Sequence, residues 1–331
     1  MAELHTRYLG LSLRNPIIVG SSGLTKSVAD LKEAERAGAG AVVLKSLFEE
    51  QIYIDVAHRV QQAQKESLIY SEYSESMDYM DYHLRGKELS SYLAMLREAK
   101  NSLHIPVIAS INCVSSGEWT DFAHRIEENG ADAIELNIAI LPYNDTLSTE
   151  EIENRYIQIV TEIKSKVKIP VAVKIGSYFT NPARFIKRLS ETGVEGIVMF
   201  NRFFSPDIDI DDLEVIATNL YSSETDISQS LRWTAIMHGR INCDIATSTG
   251  VHSAEALIKM MLAGASAVQV TSILYKQGIG AVQQLVTGLE KWMDKKGYKT
   301  TDQFIGLMSQ YKRPDPQVYE RIQFMRYYSE L

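Results

Sequence analysis

Eight polar residues stand at or just past the carboxyl ends of eight short apolar segments. These residues are Ser21, Lys45, Asn112, Asn137, Lys174, Asn201, Ser248 and Ser272. Hydroxyl, amide and ammonium groups can hydrogen-bond a polar ligand, and none of these residues has an obvious role in a hydrocarbon core. The row therefore predicts a ligand cradle, provided that the fold brings the eight ends together.

Two of these residues are lysines, Lys45 and Lys174, which end the second and the fifth apolar segments. A lysine at the end of a buried strand is costly unless its ammonium has a partner. Beside a flavin ring, such a cation opposes the negative charge that grows at the N1/O2 edge of the reduced cofactor. The alternative is a lysine that reaches solvent or pairs with an acid such as Glu135. Two lysines at equivalent positions favour the flavin site.

Three of the residues are asparagines, Asn112, Asn137 and Asn201. Their amides both donate and accept hydrogen bonds, which suits a planar heterocycle with adjacent N–H and C=O groups. Asparagine also favours loop caps and Asx turns, so a purely structural role stays open for each.

The stretch from Ser248 to His252 follows the seventh segment, and Thr271 and Ser272 follow the eighth. Barrel enzymes often bind phosphate with these two loops and a helix N-terminus, and Gly250 would let the backbone approach a phosphate closely. His252 is a possible acid or base, but a phosphate loop faces the far end of a bound cofactor.

The two cysteines, Cys113 and Cys243, do not form a CxxC pair, and no spacing of His and acidic residues suggests a metal site. Cys113 stands just past the third apolar segment. It is a candidate nucleophile or base if its pKa is lowered, and otherwise a buried inert thiol.

The apolar segments alternate with helical patterns, which predicts an α/β fold, a closed (β/α)8 TIM barrel with its site at the carboxyl-terminal rim. The predicted strands are Pro16–Gly20, Ala41–Lys45, Val107–Ile111, Ala133–Asn137, Val171–Ile175, Gly196–Phe200, Cys243–Thr247 and Ala267–Thr271. The predicted helices cover residues 27–37, 89–102, 118–129, 149–166, 182–192, 231–240, 253–263 and 279–296, and residues 3–15 form a short β lead-in.

Two irregular insertions interrupt the alternation, near 46–87 and 202–230. The first is rich in Tyr, Ser, Glu and Asp, and is either a solvated insertion with a short helix or a lid over the rim. No linker or internal repeat divides the chain. We therefore expect a single domain over residues 1–331, with a C-terminal extension from about 297.

The chain of 331 residues has a net charge of −8, which argues against nucleic acid as its main partner. No segment approaches the roughly 20 apolar residues needed to span a bilayer, and the N-terminal residues contain no apolar signal core. We expect a cytoplasmic protein with no membrane partner.

Several motifs in order resemble the FMN domain shared by dihydroorotate dehydrogenases and dihydropyrimidine dehydrogenase. They are GLSLRNPIIVGSSGLT, GAGAVVLKSL, ASINCVSSGEWTDFAHRIEENGADAIELNI, VAVKIG, GIVMFNR and ATSTGVHSAEALIKMMLAGASAVQVTSILY, and the resemblance covers roughly residues 7 to 290. The third is especially similar to the pyrimidine-reducing branch. Residues 46–87 and 202–240 match poorly.

The resemblance implies an FMN site and a role for each matching residue. Ser21 and Ser22 would line the flavin through their backbone, and Lys45 and Lys174 would meet its isoalloxazine ring. The other implied contacts are Asn137 and Asn201 to the flavin or a planar substrate, and Gly250, Thr271 and Ser272 to the phosphate. A homodimer is also implied.

One position departs from the family. The family follows its fourth strand with a catalytic Cys or Ser, whereas this chain has Ile140 there, and an isoleucine cannot accept a proton. General acid–base help of this kind is worth about 10²–10⁴-fold in rate. Lys45, Asn137 and Cys113 are the candidate catalytic residues, with Tyr143, Asp145 and the 46–87 segment as further sources of a base.

The leading interpretation is an FMN-dependent oxidoreductase acting on a CH–CH bond of dihydroorotate, orotate or a related dihydropyrimidine or planar substrate. Hydride would pass to or from flavin N5, and the electron acceptor could be fumarate, NAD through another subunit, or another oxidant. One alternative is a flavin-binding sensor or partner module without catalysis. Another is a barrel that binds a phosphate compound without flavin.

Overall fold

The computed structural model describes residues 2–48, 74–112, 116–203 and 205–320. Within these ranges, eight parallel strands close into a barrel, because the first of them pairs with both the second and the last, and the second also pairs with the third. The barrel strands are β3 (Ile17–Val19), β4 (Ala41–Val43), β6 (Val107–Asn112), β7 (Ala133–Asn137), β8 (Val171–Ile175), β9 (Gly196–Met199), β12 (Asp244–Thr247) and β13 (Ala267–Val270). The predicted barrel is confirmed.

The core has two layers, because the barrel strands are buried on both faces. The outer layer lies between the strands and the helices that follow them. The inner layer fills the barrel with small residues such as Ala41 and Ala172, and Tyr8 and Leu9 pack against them. Tyr8 and Leu9 come from the predicted lead-in, an antiparallel hairpin of β1 (Thr6–Tyr8) and β2 (Leu11–Leu13). The hairpin closes the amino-terminal end of the barrel.

The helices follow the strands in the predicted order. They are α1 (Val28–Arg36), α2 (Ser74–Ser102), α3 (Ser116–Glu128), α4 (Thr149–Lys164), α5 (Pro182–Ser190), α6 (Ile227–Met237), α7 (Ala254–Ala263), α8 (Ser272–Gln277) and α9 (Ala281–Lys296). Several begin at a capping side chain, as in α4, where Ser148 and Glu151 form a reciprocal capping box. No helix in the described ranges is long and apolar enough to cross a membrane.

The irregular insertion predicted near 46–87 is partly regular. Residues 47–48 form the short strand β5 (Leu47–Phe48), which pairs with the end of β6. Helix α2 begins at Ser74, well before the predicted start at residue 89. Residues 49–73 lie outside the described ranges, so the choice between a solvated insertion and a lid stays open.

The second predicted insertion, near 202–230, is also partly regular. It contains a hairpin of β10 (Pro206–Asp209) and β11 (Glu214–Ala217), and α6 begins at Ile227 instead of the predicted 231. The signal was present, since Asp and Ile alternate along residues 207–210 as strand residues do. It is weak because both faces of the hairpin are largely exposed, so burial does not impose a clear apolar face.

The segment after residue 297 packs on the barrel. Thr300 forms a bridge with Glu3, and the amides of Gly306 and Met308 donate to the carbonyls of Met261 and Leu262 in α7. These contacts attach the described part of the predicted C-terminal extension to the outer helices.

His238, just after α6, is held between two glycines. A Cβ at Gly264 would lie 2.3 Å from its Cγ, and a Cβ at Gly306 would lie 2.1 Å from its Nε2. Burial, and then the Lys312 ammonium, lower the pKa of His238. Since folding favours the neutral imidazole, its contribution to stability is complete above the ordinary pKa of about 6.5 and is lost as pH falls through the lowered value.

We therefore expect the free energy of unfolding to fall more between about pH 7.5 and about pH 5.5 in the wild type than in His238→Gln. Urea unfolding at each pH measures the difference. The control is His124→Gln, because His124 is exposed on α3. A pH dependence identical in the wild type and in His238→Gln would contradict the assignment.

Candidate active site at the barrel rim

A cavity opens at the carboxyl ends of the barrel strands. It contains about 890 Å³ of empty space, part of it open to solvent. The residues that line it are Ser21, Lys174, Asn201, Arg202, Phe203, Ser205, Thr218, Leu220, Ser222, Ser248, Thr249, Gly250, Val251, Gln269, Val270, Thr271 and Ser272. Seven predicted site residues are among them: Ser21, Lys174, Asn201, Ser248, Gly250, Thr271 and Ser272.

Lys174 is held by two side chains from other strands. Its ammonium donates to Gln269 Oε1 at 2.8 Å and lies 3.5 Å from Glu135 Oε1. The amide nitrogen of Gln269 in turn donates to Glu135 Oε2. Glu135 is 1% exposed and Lys174 is 8% exposed, so the pair is buried inside the barrel with the lysine nearer the cavity. Lys174 therefore makes the pairing with Glu135 that the sequence presented as one alternative, and it also lines the cavity.

Two predicted asparagines meet at the rim. Asn201 Nδ2 donates to Asn137 Oδ1 at 2.9 Å, although their strands, β9 and β7, are separated by β8. Asn137 is buried, whereas Asn201 lines the cavity. This bond fixes the orientation of both amides, and leaves Asn201 Oδ1 directed to accept and Asn137 Nδ2 to donate further bonds.

Serine hydroxyls connect the first three barrel strands beneath the rim. Ser21 Oγ lies 3.0 Å from Ser46 Oγ, which lies 2.7 Å from Ser110 Oγ. The amide of Ser46 also donates to Ser21 Oγ at 2.9 Å. Ser21 is thereby fixed where it enters the cavity wall.

The two predicted phosphate loops come together around Ser222. The amide of Gly250 donates to Ser222 Oγ at 3.3 Å, and the amide of Ser222 donates to Ser272 Oγ at 3.0 Å. His252 Nε2 lies 3.0 Å from Ser222 Oγ, and Lys276 Nζ donates to the Ser222 carbonyl at 2.7 Å. Burial, and then Lys276, lower the pKa of His252. Amides, hydroxyls and a lysine concentrated here match the chemistry that binds an anion.

Four of the predicted residues that the structure describes do not line the cavity: Ser22, Lys45, Asn112 and Asn137. Ser22 caps the short 3₁₀ turn that follows it, Lys45 is exposed, and Asn112 is half-buried at the end of β6. Cys113 lies outside the described residues. The other cysteine, Cys243, is a free thiol, and burial, and then Asp244, raise its pKa to about 12.

Sequence reasoning missed several lining residues. Ser222, Arg202 and Phe203 belong to the 202–230 segment, where the sequence pattern indicates only an irregular insertion. Gln269 could have been found, because a Gln between valines in a buried strand needs a polar partner inside the barrel. Nothing in the sequence indicated that Ser222 returns to the phosphate loops.

The described lining of the cavity contains only two ionisable side chains, Lys174 and Arg202. The further candidate bases Tyr143 and Asp145 are exposed on the loop after β7, and Tyr143 is 84% exposed. The amide of Ile140 donates to Tyr156 Oη at 3.1 Å, which ties this loop to α4. Apart from its two cations, the described lining thus contributes groups that bind and orient a ligand.

The residues present fit a flavin mononucleotide in the chemistry of their donors. The loops around Gly250 and Ser272 offer hydroxyl groups, and Lys276 an ammonium, for a phosphate, and Asn137, Asn201 and Lys174 offer amide and ammonium groups for the polar edge of a planar ring. Members of both groups line one cavity, the first from the loops after β12 and β13 and the second, Asn201 and Lys174, from β8 and the end of the neighbouring β9.

Comparison with known proteins gives one family. The family model described as "Dihydroorotate dehydrogenase" matches residues 3–293. The catalytic subunit of dihydroorotate dehydrogenase B (NAD(+)) from Thermoplasma volcanium is 28% identical over 314 residues, which cover 93% of this chain and 99% of that protein. The corresponding protein from Methanosarcina acetivorans is 27% identical, with coverage of 90% and 94%.

Proposed function

Since the chain belongs to the dihydroorotate dehydrogenase family, a family of oxidoreductase enzymes, we propose that it is an FMN-dependent dehydrogenase acting on a CH–CH bond. Its substrate is dihydroorotate, orotate, or a related dihydropyrimidine or planar molecule. A bound FMN would supply the hydride chemistry at its N5. The observation that supports the proposal best is one cavity lined both by the hydroxyl-bearing loops after β12 and β13 and by Asn201 and Lys174.

The phosphate end would be held by the loops after β12 and β13. Thr271 and Ser272 offer hydroxyls, and Lys276 supplies positive charge nearby, while the amides of Gly250 and Ser222 are bonded to Ser222 Oγ and Ser272 Oγ and hold the loops together. These groups are fixed by the barrel before any ligand binds, so the entropic cost of ordering them is small.

At the other end, Asn201 and Lys174 would meet the polar edge of the ring. FMN supplies the acceptor of a hydride, and the reduced ring carries negative charge. The ammonium of Lys174 would stabilise that charge, and the bonded pair of Asn137 and Asn201 would orient the ring or the substrate. Phe203 adds an apolar surface at the same wall.

The direct test is the absorbance spectrum of the purified protein, before and after addition of FMN, followed by titration with dihydroorotate and orotate. We expect a flavin spectrum, bleaching by dihydroorotate under anaerobic conditions, and a spectral shift with orotate. A protein that stays colourless with added FMN would exclude the proposal and favour a barrel that binds another phosphate compound.

A second function is a flavin-binding module without catalysis. Ile140 at the family's catalytic position favours it, as does the described cavity lining, which has no carboxylate, imidazole or thiol. The same titration separates the two, because a module without catalysis would keep its flavin oxidised with every dihydropyrimidine supplied.

A further inference from the structure

The contacts among Glu135, Gln269 and Lys174 carry an inference that concerns the flavin site and rests on the proposed function. Three strands supply them: β7 supplies Glu135, β8 supplies Lys174 and β13 supplies Gln269. The strands β7 and β8 are adjacent, whereas β13 lies across the barrel from both. The three side chains therefore meet inside the barrel, beneath the cavity.

The orientation of the Gln269 amide is fixed by its two partners. Its oxygen accepts from the Lys174 ammonium at 2.8 Å and its nitrogen donates to the Glu135 carboxylate. A reversed amide would place N–H groups against the ammonium and oxygen against the carboxylate, and both contacts would be repulsive. Gln269 thus connects a cation to an anion, with its oxygen facing the lysine.

The ammonium of Lys174 is shared between two acceptors at different distances. Gln269 Oε1 is at 2.8 Å, whereas Glu135 Oε1 is at 3.5 Å and makes no hydrogen bond within the described part of the chain. The shorter contact holds the ammonium toward Gln269, which lines the cavity, and away from full contact with the buried carboxylate. The lysine is neutralised only in part.

We propose that Glu135 and Gln269 are positioning residues that set how much of the Lys174 charge reaches a bound flavin. Glu135 lowers the midpoint reduction potential of the bound flavin, because its negative charge offsets that of the ammonium. Gln269 raises this potential, because it holds the ammonium at the cavity. Neither residue needs to touch the cofactor to act in this way, because charge interactions are strong inside a barrel of low dielectric constant.

The two residues give opposite predictions for the midpoint potential of bound FMN. Glu135→Gln removes the compensating charge, so we expect the ratio of reduced to oxidised flavin at a fixed potential to rise at least about tenfold, a shift of about 30 mV for a two-electron couple. Gln269→Leu releases Lys174 toward Glu135, so we expect a shift in the other direction.

The experiment is a dye-equilibrated reductive titration of the FMN-loaded wild type and variants, with the FMN dissociation constant measured by fluorescence. Thr247→Val is the matched control, since Thr247 is fully buried in β12 and its hydroxyl has no hydrogen-bond partner in the described structure. We expect its potential to equal that of the wild type. Potentials of Glu135→Gln and Gln269→Leu that do not move would overturn the inference.

A double-mutant cycle decides whether Glu135 acts through Lys174. Glu135→Gln is also made in the Lys174→Gln background, where we expect its effect on the potential to shrink to less than half. An effect of equal size in both backgrounds would mean that Glu135 acts on the flavin directly, which overturns the positioning role.

The same cycle is also measured by urea unfolding without FMN, which separates the failure of the proposed function from the failure of this inference. If residues 135 and 174 are coupled in unfolding but the wild type binds no FMN, the proposed function is wrong and the interaction among Glu135, Gln269 and Lys174 is confirmed. An FMN-binding wild type without that coupling would overturn this inference alone.

Discussion

Lys174→Met is expected to destabilise the protein by about 3–5 kcal/mol, the usual cost of removing one partner from a buried ion pair. The reason is the Glu135 carboxylate, which is 1% exposed and would remain inside the barrel without its cation. Gln269 alone would be left to donate to it. Urea unfolding followed by circular dichroism at neutral pH measures the loss.

The controls for this prediction are a double variant and a surface lysine. Lys174→Met combined with Glu135→Gln should recover most of the lost stability, because no charge then remains buried. Lys164 pairs with Glu195 at 2.6 Å, but Glu195 is 37% exposed, so Lys164→Met should cost about 1 kcal/mol or less. Equal losses for Lys164→Met and Lys174→Met would contradict the buried-pair assignment.

Gly250→Ala is expected to lower FMN affinity at least about a hundredfold, which is about 2.7 kcal/mol of binding free energy. Gly250 has a φ of +83°, and a Cβ there would lie 2.2 Å from the backbone nitrogen of Ile227 and 2.6 Å from its Cα. The start of α6 is backbone and cannot move aside as a side chain can. The loop must shift instead, and with it the Gly250 amide, whose hydrogen bond to Ser222 Oγ connects the two loops that would hold the phosphate.

Two other glycines separate the causes of this effect. Gly130 has a φ of +86°, and a Cβ there would meet no atom within 4 Å, so Gly130→Ala tests the backbone conformation alone and should cost about 1 kcal/mol of stability. Gly280 has a φ of −59°, and a Cβ there would meet no atom within 4 Å, so Gly280→Ala should change stability by about 0.5 kcal/mol or less. Both variants should bind FMN as the wild type does. A Gly250→Ala protein with unchanged FMN affinity would remove this loop from the site.

The sequence was sufficient for the barrel because its strands are short, continuous and apolar. Segments such as Ala41–Val43 and Val171–Ile175 are buried on both faces, so every position is apolar or has a specific reason to be polar. The carboxyl-terminal rim follows from that topology, which is why the polar ends predicted much of the cavity wall.

The sequence was not sufficient to separate the two lysines. Both lysines come at the end of an apolar run, yet Lys174 lies within β8 and is buried, whereas Lys45 follows the end of β4 and is exposed. The difference lies in what the neighbouring strands provide: Glu135 on β7 and Gln269 on β13 lie close enough to share the Lys174 ammonium. Such contacts depend on strand register around a closed barrel, which spacing along the chain does not give.

The place of Ser222 in the cavity wall could not be predicted from the sequence either, because it depends on where the chain returns to the barrel after the hairpin. Residues 206–217 leave the barrel as an exposed hairpin, and Ser222 then comes back between the loops of Gly250 and Ser272. Alternating Asp and Ile could have indicated the hairpin, but the return point is set by tertiary contacts.

The side chains of Tyr8 and Leu9, at the amino-terminal end of the barrel, affect how molecules reach the cavity. Both side chains are fully buried against the inner layer of the barrel, so the described structure leaves no passage along the barrel axis. In the described structure, a molecule therefore reaches the cavity from the carboxyl-terminal side of the barrel. Two reactants that need the same face of a ring bound in the cavity would then have to bind one after the other, the first leaving before the second enters.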